Sequence, residues 1–549
     1  MLLTLHDPRR ASEYYACGAW RDDTLYGLLR RHAAQAPASW AIRDSRRRLT
    51  WLQLAGWVDA VAGALHAAGV RHGQRVCVWL PNRVEAAVVF LACSRNGYVC
   101  NPSLHHNHTV SDIAQLMERV QAAALFAQRG YGADAAREDV FARARALPSM
   151  KLLCDLAAPD GTFAFPDTAT QLPLPEPETN PDQIVYLAFT SGTTGQPKGV
   201  LHSDNTLLAN GRAMVADWDV TRDTVLYSHS PLSHHIGTVA IEQSLAAGCE
   251  LVLHDVPPRQ RPLDWMVETG ATYVMGVPTH AIDVLADMRT RGMPKLGRVT
   301  VFYMAGSTIP PAVAQAFLDM GIKPQNVYGM TENGSHQYTL PGDDARVVTE
   351  TCGRACAGYE TRIWDTGNPD REVAVGEVGE IGTRGALLML GYFNNQFATE
   401  ASFNARGWFM SGDLGRLDER GNLYIVGRKK DLIIRGGHNI HPATIENLAV
   451  RHPAVAKAAA FPVPDERLGE RVCLAVIARE GARIAGPELL AHLHEHGLSR
   501  YDMPEYFIVL DAFPLTPSGK ILKRELVEWA RTGRARPVPV RWTGEASNA

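Results

Sequence analysis

Apolar residues recur at helical spacing in the first part of the chain. Leu54, Val58, Val61 and Leu65 mark one face, and Gly69 stands where that helix would stop. The run VCVWL (76–80) then reads as a buried strand, a helical stretch covers Glu85–Arg95, and Gly97 closes it. Strand-like runs return as IVYLAFT (184–190), LVLH (251–254), TYVMGV (272–277) and VTVFYMAG (299–306). Strands apolar on both faces, alternating with helices, predict an α/β architecture. Between Pro159 and Pro181 six prolines fall among Thr, Asp and Glu without periodicity, which predicts a surface connector. From about residue 377 the texture changes to short strands and glycine turns. After Arg428 a compact strand/helix pattern has the size of a small α+β domain, and the residues from about 532 read as a loose tail.

Composition narrows the function classes. A chain of 549 residues, 46% hydrophobic and 21% charged, is that of a globular protein with about three domains of ~150 residues, not a disordered or disulfide-stapled one. The net charge of −3 offers no basic field for nucleic acid or an anionic membrane. Charges follow the first few apolar residues at once, unlike a signal peptide, and the apolar run at 86–93 is far short of the roughly 18–20 residues of a membrane span. Nine scattered cysteines without a CxxC pair predict buried, reduced thiols. The expected location is cytoplasmic.

The chemistry concentrates in FTSGTTGQPKGV (189–200), where a strand runs into glycines, hydroxyls and a lysine. Glycines let successive N–H groups converge on phosphate oxygens, hydroxyls add donors, and Lys198 adds charge. A P-loop is excluded, because Lys198 lies between Pro197 and Gly199 and no hydroxyl follows it.

TSGTTGQPKGV resembles the signature of the adenylate-forming superfamily, which comprises acyl-CoA synthetases, luciferase-like enzymes and peptide-synthetase adenylation domains. In order come SPLSHHIG (230–237), YMAGSTIP (303–310), NVYGMTEN (326–333), WFMSGDLG (408–415), GRKKDLI (427–433), GGHNIHPATIE (436–446) and PLTPSGKILKREL (514–526), so the resemblance covers nearly the whole chain. It implies an α/β fold with a large N-terminal domain of βα subdomains and a β-barrel-like subdomain (1–428), then a small mobile α+β domain (429–549). The implied reaction is ATP-dependent: a carboxylate attacks the α-phosphate to give an acyl-adenylate and pyrophosphate, and the thiol of coenzyme A then displaces AMP.

The resemblance also implies roles for single residues. Lys520 is the lysine that reaches the carboxylate and the α-phosphate. Thr331 and Glu332 contact the α-phosphate and hold Mg²⁺, which suits one carboxylate plus phosphate oxygens. Thr190, Ser191, Gly192, Thr193, Thr194, Gly195 and Lys198 surround the phosphates. Tyr328 stacks on adenine, Asn326 offers its amide, Gly306 and Ser307 lie along the other ring face, and Gly329 and Met330 complete that strand. Asp413, Ile425 and Arg428 hold the ribose end, Lys430 is the hinge, and Gly436 and Gly437 pass the pantetheine arm. His234 lines the acyl–adenylate site, and the acyl pocket takes His234, His235, Gly276, Met304 and Ala305. A metal at His229, His234 and His235 is not expected, because no nearby Cys or acid completes a ligand set. AGST replaces the usual GGAP-like string, and Tyr501-Asp502 stands where the linker usually carries Tyr-Lys.

The stretches 235–239, 276–280, 303–306 and 333–334 carry no lysine or arginine, which disfavours a dicarboxylate and points to an apolar alicyclic, branched or short-to-medium acid. Two rival functions remain in view. A stand-alone adenylation enzyme would load a carrier protein, though PLSHHIG lacks the acid that amino-acid activators use and no carrier domain follows Leu526. A non-catalytic acyl-adenylate binding protein would not be expected to keep Lys520, Glu332 and Asp413. Expected partners are a small carboxylate, a second copy in a homodimer, and a lysine acetyltransferase reading Pro514–Lys520.

Overall fold

The runs that read as buried strands form strands, at Arg75–Trp79, Ile184–Thr190, Glu250–Leu253, Tyr273–Gly276 and Val301–Met304. Helices occupy Trp51–Ala67 and Val84–Asn96. The first is closed by a reciprocal cap between Thr50 and Gln53; the second ends on Gly97 at φ 68, in the left-handed conformation that glycine adopts freely. The computed structural model describes residues 7–157, 164–168, 172–190, 197–255, 260–307, 309–515 and 521–542.

The chain divides into two compact units, Met1–Thr361 with Thr383–Phe409, and Arg362–Gly382 with Met410–Ala549. Two sheets build the first unit. One has nine strands, with the central order Lys323–Met330, Val301–Met304, Tyr273–Gly276, Val225–Ser228, Glu250–Leu253 and Trp40–Arg43, all parallel. The other has seven strands, in the order Gly391–Tyr392, Lys198–Ser203, Ile184–Thr190, Val99–Asn101, Arg75–Trp79, Ala124–Ala127 and Leu152–Asp155. Its first two pairings are antiparallel and the rest parallel. Helices cover these parallel strands, as βα crossovers require. Contacts distant in sequence close the unit: the Trp20 indole donates to the Ala386 carbonyl at 2.9 Å, and Tyr15 to Asp182 at 2.9 Å.

The second unit carries a four-stranded sheet in the order Tyr359–Trp364, Gly379–Gly385, Phe409–Leu417 and Leu423–Arg428, whose first three strands run across the unit boundary. The glycine-rich segment expected at the end of the large domain thus groups by proximity with the C-terminal residues. A further sheet centres on Gly469–Ala478, flanked by Val455–Asp465 antiparallel and Tyr506–Val509 parallel.

One expectation is corrected here. The residues after 532 are not all a loose tail, because Val538–Pro539 pairs with Phe507 and Tyr506, and Trp542 packs on His494 at 4.8 Å. Two ladder residues and one large aromatic dock this segment, a signal too short for a sequence pattern to carry. All nine cysteines are free and most are buried; burial pushes the Cys77 and Cys154 thiols up to about 12, so neither is a nucleophile. Among the described residues no helix is long and apolar enough to cross a membrane.

Candidate active site

In the first unit the strand Ile184–Thr190 pairs antiparallel with Lys198–Ser203, and the last matched pair is Thr190 with Lys198. Ser191, Gly192, Thr193, Thr194 and Gly195 lie outside the described residues. Lys198 sends its ammonium to within 4.6 Å of the Tyr392 ring centroid, a cation–π contact. The Tyr392 hydroxyl in turn donates to Glu332 Oε1 at 3.0 Å. Burial and the Glu332 carboxylate push the Tyr392 phenol well up, so it stays a donor. Lysine, tyrosine and carboxylate thus form a chain from three separate segments.

Glu332 is carried by the tight hairpin between Lys323–Met330 and Gly334–Tyr338. Asn333, fully buried, receives the Met330 N–H on its side-chain oxygen at 3.0 Å and fixes the turn. The backbone N–H of Met389 donates to the Glu332 carbonyl at 2.7 Å, and His202 Nε2 lies 2.7 Å from the Thr331 carbonyl. Gly329 is required by space: a β-carbon there would lie 1.9 Å from the Gly334 carbonyl oxygen. Tyr328 packs edge-on against His336 at 5.3 Å. Asn326 is buried; its amide nitrogen donates to the Val348 carbonyl, and its side-chain oxygen has no hydrogen-bond partner among the described residues. Gly306 takes φ 93 at an exposed position beside exposed Ser307, while Met304 and Ala305 are buried.

The acyl-pocket candidates sit in a setting rich in imidazoles. His234 precedes the helix His235–Ala247 and packs on His105 at 4.5 Å; His235 Nδ1 lies 3.3 Å from the Tyr186 hydroxyl. Gly276 lies against His280, whose ring stacks on His229 at 3.8 Å, and His229 stacks on His254 at 4.2 Å. Among the described residues no group of three or more His, Cys, Asp or Glu could hold a metal.

Burial holds these rings neutral. It lowers His105, His235 and His336 to about 3 and His202, His254 and His280 to about 4. An unfolded histidine binds its proton near 6.5. Between about pH 6.5 and 4 the unfolded chain therefore binds protons that the folded chain refuses, and stability falls with pH by about 1.4 kcal/mol per pH unit for each such residue. Asp204, pushed up to about 7 by burial, and Glu242, also raised, act in the opposite sense but are fewer. The thermal midpoint is expected to drop steeply from pH 7 to pH 5; a flat profile in that interval contradicts the buried neutral rings.

In the second unit Asp413 and Arg428 face each other across an antiparallel pair, with Arg428 Nε 3.1 Å from the Asp413 carboxylate, and Ile425 lies opposite Gly415. Lys430 is exposed on the short 3₁₀ turn Lys429–Asp431. Gly436 and Gly437 form the two-residue turn between Ile433–Arg435 and His438–Ile440, at φ 58 and 85. Positive φ at both positions is the hairpin geometry that glycine fits best. Asp502, the departure noted in the linker, has a specific use: its carboxylate lies 2.7 Å from His438 Nε2, bracing that turn. Beside it opens a cavity of ≈ 540 Å³ lined by Arg435, Arg500, Tyr501, Arg541 and Trp542, among others. Lys520 lies outside the described residues.

Sequence reasoning missed Tyr392, His202, His105 and Tyr186. No local motif marks them, since each meets its partner only through sheet pairing or helix packing.

The AMP-binding enzyme pattern matches residues 29–393, and the AMP-binding enzyme C-terminal domain matches 444–520. Among curated relatives, the medium-chain fatty-acid–CoA ligase of Escherichia coli K12 is 30% identical over 532 residues, covering 95% of this chain and 93% of its own. A feruloyl-CoA synthase of an Amycolatopsis species is 32% identical over 498 residues, covering 90% of this chain and 97% of its own. Among solved structures, ATP-bound MatB of Rhodopseudomonas palustris superimposes with a TM-score of 0.82 at 28% identity, covering 93% of this chain and 99% of that one.

Proposed function

The chain belongs to the AMP-binding enzyme family, and from that premise we propose that it is an AMP-forming acyl-CoA synthetase for an uncharged carboxylic acid, apolar at least around its carboxylate. The observation that carries the reading is the Lys198–Tyr392–Glu332 chain, which brings a cation and an anchored carboxylate to the hairpin that presents Thr331.

The first half-reaction crowds a carboxylate against a triphosphate, so it depends on cations and fixed donors around the reacting phosphorus. In the proposed roles Lys198 attracts the phosphates and Thr331 donates to the α-phosphate. Glu332 would hold magnesium; a single half-buried carboxylate fits an ion that takes most of its ligands from phosphate oxygens and water. Lys520 offsets the charge that builds between carboxylate and α-phosphate. Asp413 accepts from the ribose hydroxyls, Arg428 steadies Asp413, and Lys430 is the hinge. For the second half-reaction, the Gly436–Gly437 turn lets the pantetheine arm pass close to the backbone. The nearby arginines suit the phosphates of coenzyme A.

For the acid itself, the absence of lysine and arginine from the pocket stretches supports an alicyclic, branched or short-to-medium acid. The carrier-loading alternative has less support, since both curated relatives described above are named as CoA ligases or synthases. The test is AMP formation with ATP, Mg²⁺ and coenzyme A, comparing kcat/KM for cyclohexanecarboxylate, benzoate, isobutyrate, octanoate and palmitate. AMP is expected only with both acid and coenzyme A present, and a best value for palmitate overturns the size limit.

A further inference from the structure

Glu242 is fully buried in the first unit, and neither of its carboxyl oxygens has a hydrogen-bond partner among the described residues. No lysine or arginine pairs with it there. Such a group is expensive to keep for packing alone, where an apolar side chain of similar volume would serve better. Its place is informative. His235, Thr238 and Glu242 stand at i, i+3 and i+7 on the helix His235–Ala247, so they share one face. His235 Nδ1 and Thr238 Oγ1 lie 3.3 and 3.4 Å from the Tyr186 hydroxyl. One turn on stands the Glu242 carboxyl, in the neighbourhood of the Tyr186 and Tyr303 phenols and hydrogen-bonded to neither. Tyr303 immediately precedes Met304 and Ala305, and its hydroxyl lies 2.7 Å from Ser335 Oγ, next to Gly334. The carboxyl therefore stands at the inner end of the same helix face and strands that carry the acyl-pocket candidates. Close packing pins it, since a β-carbon on Gly211 of the neighbouring helix would approach the Glu242 backbone to 2.7 Å.

We propose that Glu242 is a specificity residue of the acyl site, pairing with a hydroxyl at the far end of the substrate acid. This rests on the ligase reading and names the substrate class more closely: an acid apolar around its carboxylate and hydroxylated distally. Burial raises the Glu242 carboxyl well above its usual range, so it remains a neutral acid that can both donate to and accept from a hydroxyl. Seven helical residues separate it from His235, a span of about 10 Å. The probes are therefore acids of that reach: 4-hydroxycinnamate against cinnamate, and 8-hydroxyoctanoate against octanoate.

The experiment compares kcat/KM within each pair for the full-length enzyme, read as AMP formation with ATP and coenzyme A. The wild type is expected to favour the hydroxylated member of at least one pair by about 10²-fold or more, since a site built to bond a hydroxyl discriminates strongly against its absence. Glu242→Leu, which removes an unpartnered polar group and should fold, is expected to lower that ratio at least tenfold. Glu242→Gln, which can still donate and accept, falls between. A parallel fall of both members of a pair in Glu242→Leu means a packing role and overturns the proposal, as does a wild type without preference in either pair. Those results leave the ligase reading standing. AMP formation with none of these acids and none of the five in the earlier panel would overturn both.

Discussion

Lys520→Ala is expected to slow acyl-adenylate formation by about 10²–10³-fold while leaving thioester formation from supplied acyl-adenylate nearly intact. The reason is electrostatic. Adenylation brings a carboxylate onto a negatively charged phosphate, and the ammonium offsets a charge that grows toward the transition state. Thiolation starts from a neutral mixed anhydride bond and expels AMP, so it has less need of that cation. Gly437→Leu is expected to do the reverse. Gly437 sits at φ 85 in the turn, and a β-carbon there meets no atom within 4 Å, so a side chain would project into open space where the pantetheine arm is proposed to pass. The positive φ adds strain of roughly 1–2 kcal/mol, which a thermal melt separates from the kinetic effect. Pyrophosphate exchange reads the first half-reaction, and acyl-CoA release from purified acyl-adenylate reads the second. Equal damage to both halves by each variant would refute the division of labour.

Gly329→Ala is expected to cost about 3 kcal/mol of stability and more than about 10²-fold in adenylation. The added methyl would lie 1.9 Å from the Gly334 carbonyl oxygen and 2.9 Å from its carbon. Both are backbone atoms, so no side chain can swing away. Relief has to come from spreading the hairpin, which moves Tyr328, Thr331 and Glu332 together. Gly342→Ala is the matched control, because a β-carbon there has no neighbour within 4 Å. Activity of Gly329→Ala within twofold of wild type would show that the hairpin tolerates opening and that its geometry is not limiting.

The α/β alternation was legible because parallel strands buried on both faces leave long apolar runs, and Ile184–Thr190 coincides end to end with a strand. The hairpin that carries Glu332 was marked in the sequence because its signal is local, with glycines, a hydroxyl and a carboxylate within a few residues. Less legible was everything assembled at a distance. Tyr392 reaches Glu332 only because Gly391–Tyr392 pairs with Lys198–Ser203, and a lone tyrosine after a glycine announces nothing. Asn326 was read from its place in a motif, but only the fold supplies the Val348 carbonyl that takes its amide nitrogen and leaves its oxygen unpartnered. His229, His234 and His235 are close in sequence, yet their rings meet His254 and His280, His105 and His202 in turn, because strand and helix register decides which ring faces meet.

The long-range closure of the first unit bears on how the protein is made. Lys198 leaves the ribosome roughly 10–40 s before Tyr392 at ordinary elongation rates, and Trp20 waits longer still for the Ala386 carbonyl. Throughout that interval the outer edge of Lys198–Ser203 has no strand to pair with, and Glu332 has no tyrosine to anchor it. A nascent or truncated chain ending before residue 392 therefore cannot assemble the Lys198–Tyr392–Glu332 chain, and it carries an unpaired sheet edge prone to association.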